Sequence, residues 1–158
     1  MEEKNMKKLI GMVLAVMMSL TLGCTKDENK ASMINPWIEV ETIDEAKKIA
    51  GFDFVIPETV DSKEITYIAS ITDEIIDVRY GDDYVSIRKG KGSEDISGDY
   101  NEYPVCEEET INGVDVVEKG TKDAVNHVTW TNGDYSYSIY SETGITIEAV
   151  QLLVSSIS

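Results

Sequence analysis

Residues 128–137 have the sequence Val-Thr-Trp-Thr-Asn-Gly-Asp-Tyr-Ser-Tyr, in which apolar and polar side chains alternate on both sides of Asn132-Gly133. Strict alternation predicts β-strands with one buried face, and Asn-Gly is a preferred pair for a two-residue hairpin turn. With Asn132 and Gly133 as the loop, the predicted pairs are Trp130 with Tyr135, Val128 with Tyr137 and Asn126 with Ile139. The hairpin then has one apolar face and one polar face.

The same period of two recurs upstream. Residues 64–71, 76–80 and 85–88 alternate in this way and are joined by short connections, which predicts three strands of an antiparallel meander. A second Asn-Gly pair, Asn112-Gly113, predicts another hairpin, with Val114 opposite Ile111 and Val116 opposite Glu109. Residues 90–104 are rich in Gly, Asp and Ser and form the longest irregular stretch.

Two helices flank the predicted strands. The sequence Thr42-Ile43-Asp44-Glu45 is a capping box and predicts a helix over residues 43–50 that ends at Gly51. Thr146 is the predicted N-cap of a closing helix, whose apolar positions are Ile147, Val150, Leu153, Val154 and Ile157. We therefore predict an α+β fold, a curved antiparallel sheet of about seven strands with an N-terminal and a C-terminal helix packed on one face.

The N-terminus carries a targeting signal. Lysines precede an apolar run over residues 9–22, which at 14 residues is short of the roughly 20 that a transmembrane helix needs. The run ends in Leu20-Thr21-Leu22-Gly23-Cys24, which resembles the lipobox of bacterial prolipoproteins. That resemblance implies cleavage before Cys24 and lipidation of its thiol. The alternatives are an uncleaved anchor and an ordinary signal with an incidental Cys.

These boundaries divide the chain into three parts. Residues 1–23 are predicted to be a lipoprotein signal peptide, 24–36 the lipidated Cys24 with a flexible polar tether, and 37–158 a single α+β domain. We expect localisation at the extracytoplasmic face of the cell membrane, with the lipid on Cys24 as the membrane contact.

Charge and cysteine content exclude several functions. The chain has a net charge of −16, and cleavage before Cys24 would remove three Lys and two Glu, leaving 11 basic and 28 acidic residues and a charge of −17. Such a surface repels nucleic acid and anionic lipid headgroups. With Cys24 lipidated, the only other cysteine, Cys106, has no disulfide partner. It lies beside Glu107-Glu108-Glu109, which disfavours a reactive thiolate, so we expect an inert, partly buried thiol.

Catalytic and metal-binding signatures are missing from the sequence. His127 is the only histidine, on the polar face of the predicted hairpin opposite Ser138, and we expect it to be a surface or hydrogen-bonded residue. There is no Gly-x-Ser-x-Gly motif, so the chain is not expected to be an enzyme, and we assign no catalytic residue, cofactor or metal. The acidic stretches 81–83 and 94–102 lack the ligand spacing of an EF-hand and are expected to be solvated.

The beginning and end of the predicted domain carry a resemblance. The segment from Ala46 to Pro57, and residues 130–139 followed by a short helix, resemble a domain-of-unknown-function family. This family occurs in Gram-positive lipoproteins and in extracytoplasmic parts of anti-sigma-type membrane proteins. The resemblance would cover residues 37–158 and implies no activity and no catalytic residue.

Two functions remain open for the predicted domain. The first is a non-enzymatic interaction or sensor module that binds an envelope protein or peptide. The second is a carrier of a small apolar ligand on the concave face of the sheet. The eight Tyr residues, mostly on predicted strands, suit either core packing or a binding face. A packed core with a polar outer face would favour the module, and an open groove lined by Tyr and Ile would favour the carrier.

Overall fold

The computed structural model describes residues 35–82 and 84–158, and Asn35–Ser158 form one compact unit. The predicted signal peptide, Cys24, the tether up to residue 34 and Asp83 lie outside the described residues. The two helices are α1 (Ile43–Ala50) and α2 (Ile147–Ser156). The strands are β1 (Ile38–Glu39), β2 (Thr59–Val60), β3 (Lys63–Ile71), β4 (Ile75–Tyr80), β5 (Val85–Lys91), β6 (Val105–Ile111), β7 (Val114–Gly120), β8 (Val125–Asn132) and β9 (Tyr135–Ile145).

The nine strands form an antiparallel sheet that is not closed. Its order is β1-β3-β4-β5-β9-β8-β7-β6, and β2 pairs with β3 beside this path. The predicted count of about seven strands corresponds to β3–β9. The sequence did not predict β1 and β2, which have two residues each and therefore no period to detect.

The β6–β7 hairpin has the predicted register. Ile111 lies opposite Val114 and Glu109 opposite Val116, so Asn112 and Gly113 form the two-residue turn. Both turn residues have positive φ, 51° and 83°, as a type I′ turn requires. Asn tolerates this left-handed region because its short polar side chain can hydrogen-bond to nearby backbone groups.

The predicted register of the β8–β9 hairpin is wrong. Trp130 lies opposite Tyr137, not Tyr135, and Val128 lies opposite Ile139, so the two-residue turn is Gly133-Asp134. Gly133 has a φ of 61° and Asp134 has no positive φ, a pattern typical of a type II′ turn with glycine first. Each partner moves by two residues, which preserves the predicted faces.

A β-bulge changes the predicted faces of β3. The sequence placed Ile65, Tyr67, Ala69 and Ile71 on one face, but the register shifts between Ile65 and Tyr67. Ile65 therefore lies opposite Tyr80, whereas Tyr67 lies opposite Arg79. An inserted residue reverses the alternation beyond it, and sequence periodicity alone does not reveal where that insertion falls.

One face of the sheet is apolar. This apolar face comprises side chains that alternate along β4, β5, β7, β8 and β9 and are nearly all buried: Ile76, Val78, Tyr80, Val85, Ile87, Val116, Val128, Trp130, Tyr137 and Ile139. Ala46 and Ala50 of α1 and Val150, Leu153 and Val154 of α2 belong to the same buried cluster. The rings of Trp130 and Tyr137, which face each other across the hairpin, stack with centroids 5.1 Å apart.

Helix α1 begins and ends at the predicted residues, and α2 begins directly after its predicted N-cap. In α1 the Thr42 hydroxyl accepts from the Glu45 N–H, the Glu45 carboxylate accepts from the Thr42 N–H, and Gly51 ends the helix with a φ of 74°. Thr146 caps α2. Ile147 is 51 % exposed, so its predicted burial is wrong, because it lies in the first turn beyond the apolar stripe. No helix in the described part of the chain has the length and apolarity needed to cross a membrane.

Candidate functional site

The face of the sheet opposite the helices is polar. This polar face comprises alternate residues of β4, β5, β8 and β9: Asp77, Arg79, Ser86, Arg88, His127, Ser138 and Tyr140. Residues 92–104, between β5 and β6, form an irregular loop that makes its contacts on this side. We call this segment the covering loop. The polar face and the covering loop form the candidate site.

Asp77 lies at the centre of the polar face. Its side chain is 1 % exposed and accepts hydrogen bonds from Arg79 Nε at 3.0 Å, Ser86 Oγ at 2.7 Å and Arg88 Nη2 at 3.3 Å. Burying an ionised carboxylate is costly unless it is paired and hydrogen-bonded, and here both oxygens have partners. Arg79 also lies over the Tyr67 ring, 4.6 Å from its centroid.

Arg88 joins the sheet to the covering loop. Its Nη1 donates to the backbone oxygens of Ile96 and Ser97, at 3.1 and 2.6 Å. Its Nε lies 3.3 Å from Asp77 Oδ1 but is not aligned for a hydrogen bond. One guanidinium therefore bridges a buried carboxylate and two loop carbonyls. The planar five-donor fork of Arg suits this role, whereas a Lys ammonium would not reach both sides.

Side chains within the covering loop hold its shape. Asp95 Oδ1 accepts from the Ser97 N–H at 2.9 Å, and Ser97 Oγ accepts from the Asp99 N–H at 3.1 Å. Asp99 in turn accepts from the Asn101 N–H and from the Tyr103 hydroxyl, at 3.1 and 2.8 Å. Successive Asx and Ser turns of this kind order a segment that has no secondary structure.

His127 lies beneath the covering loop and is 1 % exposed. Its Nδ1 is 3.6 Å from Asp99 Oδ2 and its Nε2 is 3.9 Å from Asp95 Oδ1, both too long for hydrogen bonds. Nε2 is buried without a partner among the described residues. The expectation of a surface or hydrogen-bonded His is therefore wrong, because the covering loop excludes water. His127 faces Tyr140 rather than Ser138 because the register of the hairpin is shifted by two residues.

Burial determines the protonation of His127. It lowers the pKa of His127, and Lys119 lowers it further, against the opposing charges of Asp95 and Asp99. Burial raises the pKa of Asp95 and of Asp99, but their hydrogen bonds and the nearby His127 outweigh it, so both values are lowered. The neutral imidazole and two carboxylates are thus the favoured forms near neutral pH.

A cleft opens at the edge of the covering loop. It has a volume of about 510 Å³ and is lined by Arg79, Ser86, Arg88, Ser97, Gly98, Asp99, Tyr100, Asn101 and Tyr140. Tyr100 is 95 % exposed and stands at this cleft. Arg and Tyr are among the residue types enriched at the energetically dominant positions of protein interfaces. Ser86 donates to Asp77, and His127 does not line the cleft, so the cleft presents arginine and tyrosine side chains that suit a polar partner.

A buried lysine interrupts the apolar face. Lys89 follows Val85 and Ile87 in the alternation of β5 and is only 6 % exposed. Its Nζ donates to the Asp53 carbonyl at 2.7 Å and lies 4.6 and 5.3 Å from the ring centroids of Tyr135 and Tyr137. Burial lowers the pKa of Lys89. Aromatic faces partly replace its hydration, which makes Lys89 a structural cation of the core.

The structure places the other predicted residues as follows. Cys24, the predicted lipidation site, lies outside the described residues. Cys106 is a free thiol, but it is exposed rather than partly buried, because β6 is the last strand of the sheet. Across residues 35–82 and 84–158, no group of three or more His, Cys, Asp or Glu is arranged to hold a metal ion.

The tyrosines divide between core and surface. Tyr80 and Tyr137 are core residues, whereas Tyr67, Tyr84, Tyr103, Tyr135 and Tyr140 are half-buried. The Tyr80 hydroxyl donates to the Pro57 carbonyl at 2.7 Å, and burial raises its pKa well above the usual range. Most of the ring surface is therefore used in packing, and Tyr100 is the exception.

Sequence reasoning missed the Asp77–Arg88 pairing and Lys89. A signal existed for both. Asp77 and Arg88 occupy the polar phase of two strands predicted to be neighbours, where opposite charges on one face commonly pair. Lys89 occupies the apolar phase of β5, and a charge in that phase indicates a buried cation with special partners.

Comparisons with known proteins do not assign a function to this site. No protein-family model matches the chain, and no curated protein or solved structure is significantly similar to it. Function is therefore inferred from the sequence signal and the geometry of the site.

Proposed function

We propose that the chain is a lipoprotein anchored to the extracytoplasmic face of the cell membrane through Cys24, and that its folded unit is a non-enzymatic interaction or sensor module. The lipobox-like segment at residues 20–24 supports the anchor. We also propose that residues 37–158 belong to the domain-of-unknown-function family that they resemble, which occurs in lipoproteins and anti-sigma-type proteins. We also propose that the sheet curves around both helices, which the single buried cluster supports.

The observation that carries the interaction module is the contrast between the two faces of the sheet. The apolar face is filled by α1, α2 and its own aromatic pairs. The polar face offers a cleft of about 510 Å³ with two arginines and the exposed Tyr100. A polar surface beside an exposed aromatic ring is suited to a protein or peptide partner.

The packing of the apolar face weighs against the carrier. A carrier needs an apolar cavity large enough for its ligand, on the order of 300 Å³ or more. Tyr80, Ile87, Val128 and Ile139, which would line such a cavity, are each at most 1 % exposed and pack against neighbouring core residues.

The anchor is tested by metabolic labelling with a palmitate analogue in the native host or a related bacterium. The unaltered chain should incorporate label and fractionate with membranes, and Cys24→Ser should do neither. Cys106→Ser is the matched control, since it removes the other thiol and should leave labelling unchanged. Equal labelling of the Cys24→Ser chain would contradict the anchor.

Recognition is tested by chemical crosslinking of the lipidated protein in cells. We expect a partner to be recovered with the unaltered chain and lost with Tyr100→Ala, which removes the exposed ring without touching the core. Leu152→Ala removes a comparably exposed apolar side chain from α2, where Leu152 is 72 % exposed, and should keep the partner. Recovery of no partner from the unaltered chain would contradict the interaction module.

A further inference from the structure

The second feature with functional potential is the open edge of the sheet at β6. This strand is the last in the sheet order, and five of its seven residues, Cys106–Thr110, are exposed. Ile111 and Val114 flank a two-residue turn and so form a hydrogen-bonded pair, and such pairs alternate along an antiparallel ladder. The backbone N–H and C=O groups of Cys106, Glu108 and Thr110 therefore point away from β7, and no described residue bonds to them.

This edge is strongly acidic. Glu107, Glu108 and Glu109 are consecutive, and Glu107 lies directly opposite Glu118 of β7. Like charges at directly opposite positions of a sheet destabilise the pair. Burial raises the pKa of Glu118, and the charges of Glu109 and Glu107 raise it further.

Glu118 differs from the exposed glutamates of β6 because its side chain is buried. It is only 7 % exposed, and its Oε1 is buried with no hydrogen-bond partner among the described residues. Charges on an edge strand can serve simply to prevent edge-to-edge aggregation, and the exposed Glu107, Glu108 and Glu109 are enough for that. A buried carboxylate without a donor adds nothing to that protection, and it indicates that a cationic group completes the site.

We propose that the β6 edge binds an extended segment of a partner protein that carries Lys or Arg at every second position, added to the sheet as a further strand. Alternate side chains of such a strand point to one face, so its cations would lie beside Glu107 and Glu109 and close to Glu118. A cleft of about 200 Å³ next to Glu118 is lined by the apolar Val105, Val125 and Ile147, and also by Lys119 and Lys122. The aliphatic stem of one of these cations can pack against the apolar part of this lining, with its charged end at Glu118.

A second copy of this chain does not fit the edge. Two β6 strands side by side would bring two runs of three glutamates together, on chains that each carry a net charge of −16. A basic strand removes this repulsion. The β6 edge and the cleft on the polar face are separated in the sheet by β7 and β8, so this second surface goes beyond the function proposed above and does not depend on it.

The test is a titration of the full chain, in a nonionic detergent, with a fluorescent peptide that alternates Lys and Val. We expect saturable binding that weakens as salt increases. Glu107→Gln combined with Glu109→Gln should weaken binding about tenfold. Glu58→Gln combined with Glu64→Gln removes the same number of charges at exposed positions away from β6, serves as the control and should leave binding unchanged.

Backbone pairing is tested separately from charge. Glu108→Pro removes an outward-pointing N–H without removing a β6–β7 hydrogen bond, and should abolish binding while thermal unfolding stays cooperative. A peptide of the same charge with a central proline should not bind either. Equal binding of the two peptides, or unchanged binding by the Glu107→Gln/Glu109→Gln chain, would overturn the proposal. Those results would leave crosslinking through Tyr100 untouched, so failure here is distinguishable from failure of the interaction module.

Discussion

The two faces of the sheet are stabilised by different physics. The apolar face is covered by α1 and α2 and consists almost wholly of buried aliphatic and aromatic side chains. The polar face is covered by the loop 92–104, which is held by one arginine, a buried carboxylate and a series of turn hydrogen bonds. Hydrophobic burial is nearly independent of pH, whereas pairing of ionised groups is not.

The difference assigns separate roles to the two faces. Among the described residues of the apolar face, the buried charged side chains are Lys89 and Glu118, and the other buried side chains of this face stabilise the fold by burial. The polar face leaves its two arginines partly exposed to solvent, with the Arg79 and Arg88 side chains 33 % and 18 % exposed. Groups that are ordered and still accessible are suited to recognition. Substitutions on the two faces should therefore differ in how much they change the free energy of unfolding and in how that change depends on pH and salt.

Truncation on the apolar face should have the largest effect. Leu153 is 6 % exposed, and Leu153→Ala should lower the free energy of unfolding by about 3 kcal/mol, through lost burial and the cavity left behind. Its neighbour Leu152 is 72 % exposed, and Leu152→Ala should change stability by less than about 0.5 kcal/mol. Urea unfolding followed by circular dichroism measures both. Similar losses for the two variants would mean that α2 does not pack as described.

Removing the central charge of the polar face should have the next largest effect. Asp77→Asn keeps the shape of the side chain but leaves Arg79 and Arg88 without their buried carboxylate. We expect a loss of about 2 kcal/mol, less than for a fully buried ion pair because both arginines reach solvent.

The control for Asp77 is an exposed ion pair. Asp53 lies 4.0 Å from Lys47 with its side chain 94 % exposed, so Asp53→Asn should be nearly neutral. Urea unfolding at low and high salt compares the two variants. A loss for Asp77→Asn no greater than for Asp53→Asn would show that ion pairing does not stabilise the polar face.

The polar face should also make stability depend on pH through His127. Burial lowers the folded-state pKa of His127 below its ordinary value of 6.5, so the unfolded chain binds more protons between these two values. Stability should therefore fall as pH falls from about 6.5 towards the folded pKa, by about 1.4 kcal/mol for each pH unit that separates the two pKa values. The lowered pKa values of Asp95 and Asp99 cause loss only at more acidic pH, below their ordinary value of 3.8.

His127→Gln should remove this dependence. Gln retains a polar side chain of similar length and does not titrate, so melting temperatures between pH 7 and 5 should be flatter for the variant. The effect of Leu153→Ala should be the same across this range, which makes it a useful reference. An equally steep pH dependence in His127→Gln would place the titrating group elsewhere.

The smallest predicted effect concerns Glu118, the charged residue that β7 places on the apolar face. Glu118 has a raised pKa, so the folded state is protonated at higher pH than the unfolded chain and gains stability as pH falls through that pKa towards 4.5. Glu118→Gln should therefore stabilise the free protein at pH 7, by at most about 1 kcal/mol, and the gain should disappear near pH 4. Thermal unfolding at both pH values measures this, and destabilisation at pH 7 would contradict an unpartnered Glu118.

The sequence predicts the apolar side of this molecule better than the polar side. Short-range rules placed α1, α2 and the β6–β7 turn correctly, because caps and Asn-Gly turns depend on residues only a few positions apart. The register of β8–β9 was missed because Gly133 can occupy either turn position, and only pairing across the sheet selects one. The bulge between Ile65 and Tyr67 was missed because it too is determined by pairing with the neighbouring strand.

The candidate site depends on contacts that sequence patterns do not encode. Arg88 reaches backbone oxygens of Ile96 and Ser97, and any residue type could supply such an oxygen. His127 is buried by the covering loop rather than by its own strand. Alternation predicted which face each of these side chains lies on, but not what covers that face.

The most direct test of recognition at the polar face is site-specific photocrosslinking in cells. A photo-crosslinking amino acid is placed at Tyr100, beside the polar cleft, and in a second strain at Leu152, on the helical layer. Both side chains are exposed, at 95 % and 72 %, so neither substitution disturbs the core. We predict a discrete protein adduct from position 100 and none from position 152. Adducts from position 152 alone, or from neither position, would contradict recognition through the polar face.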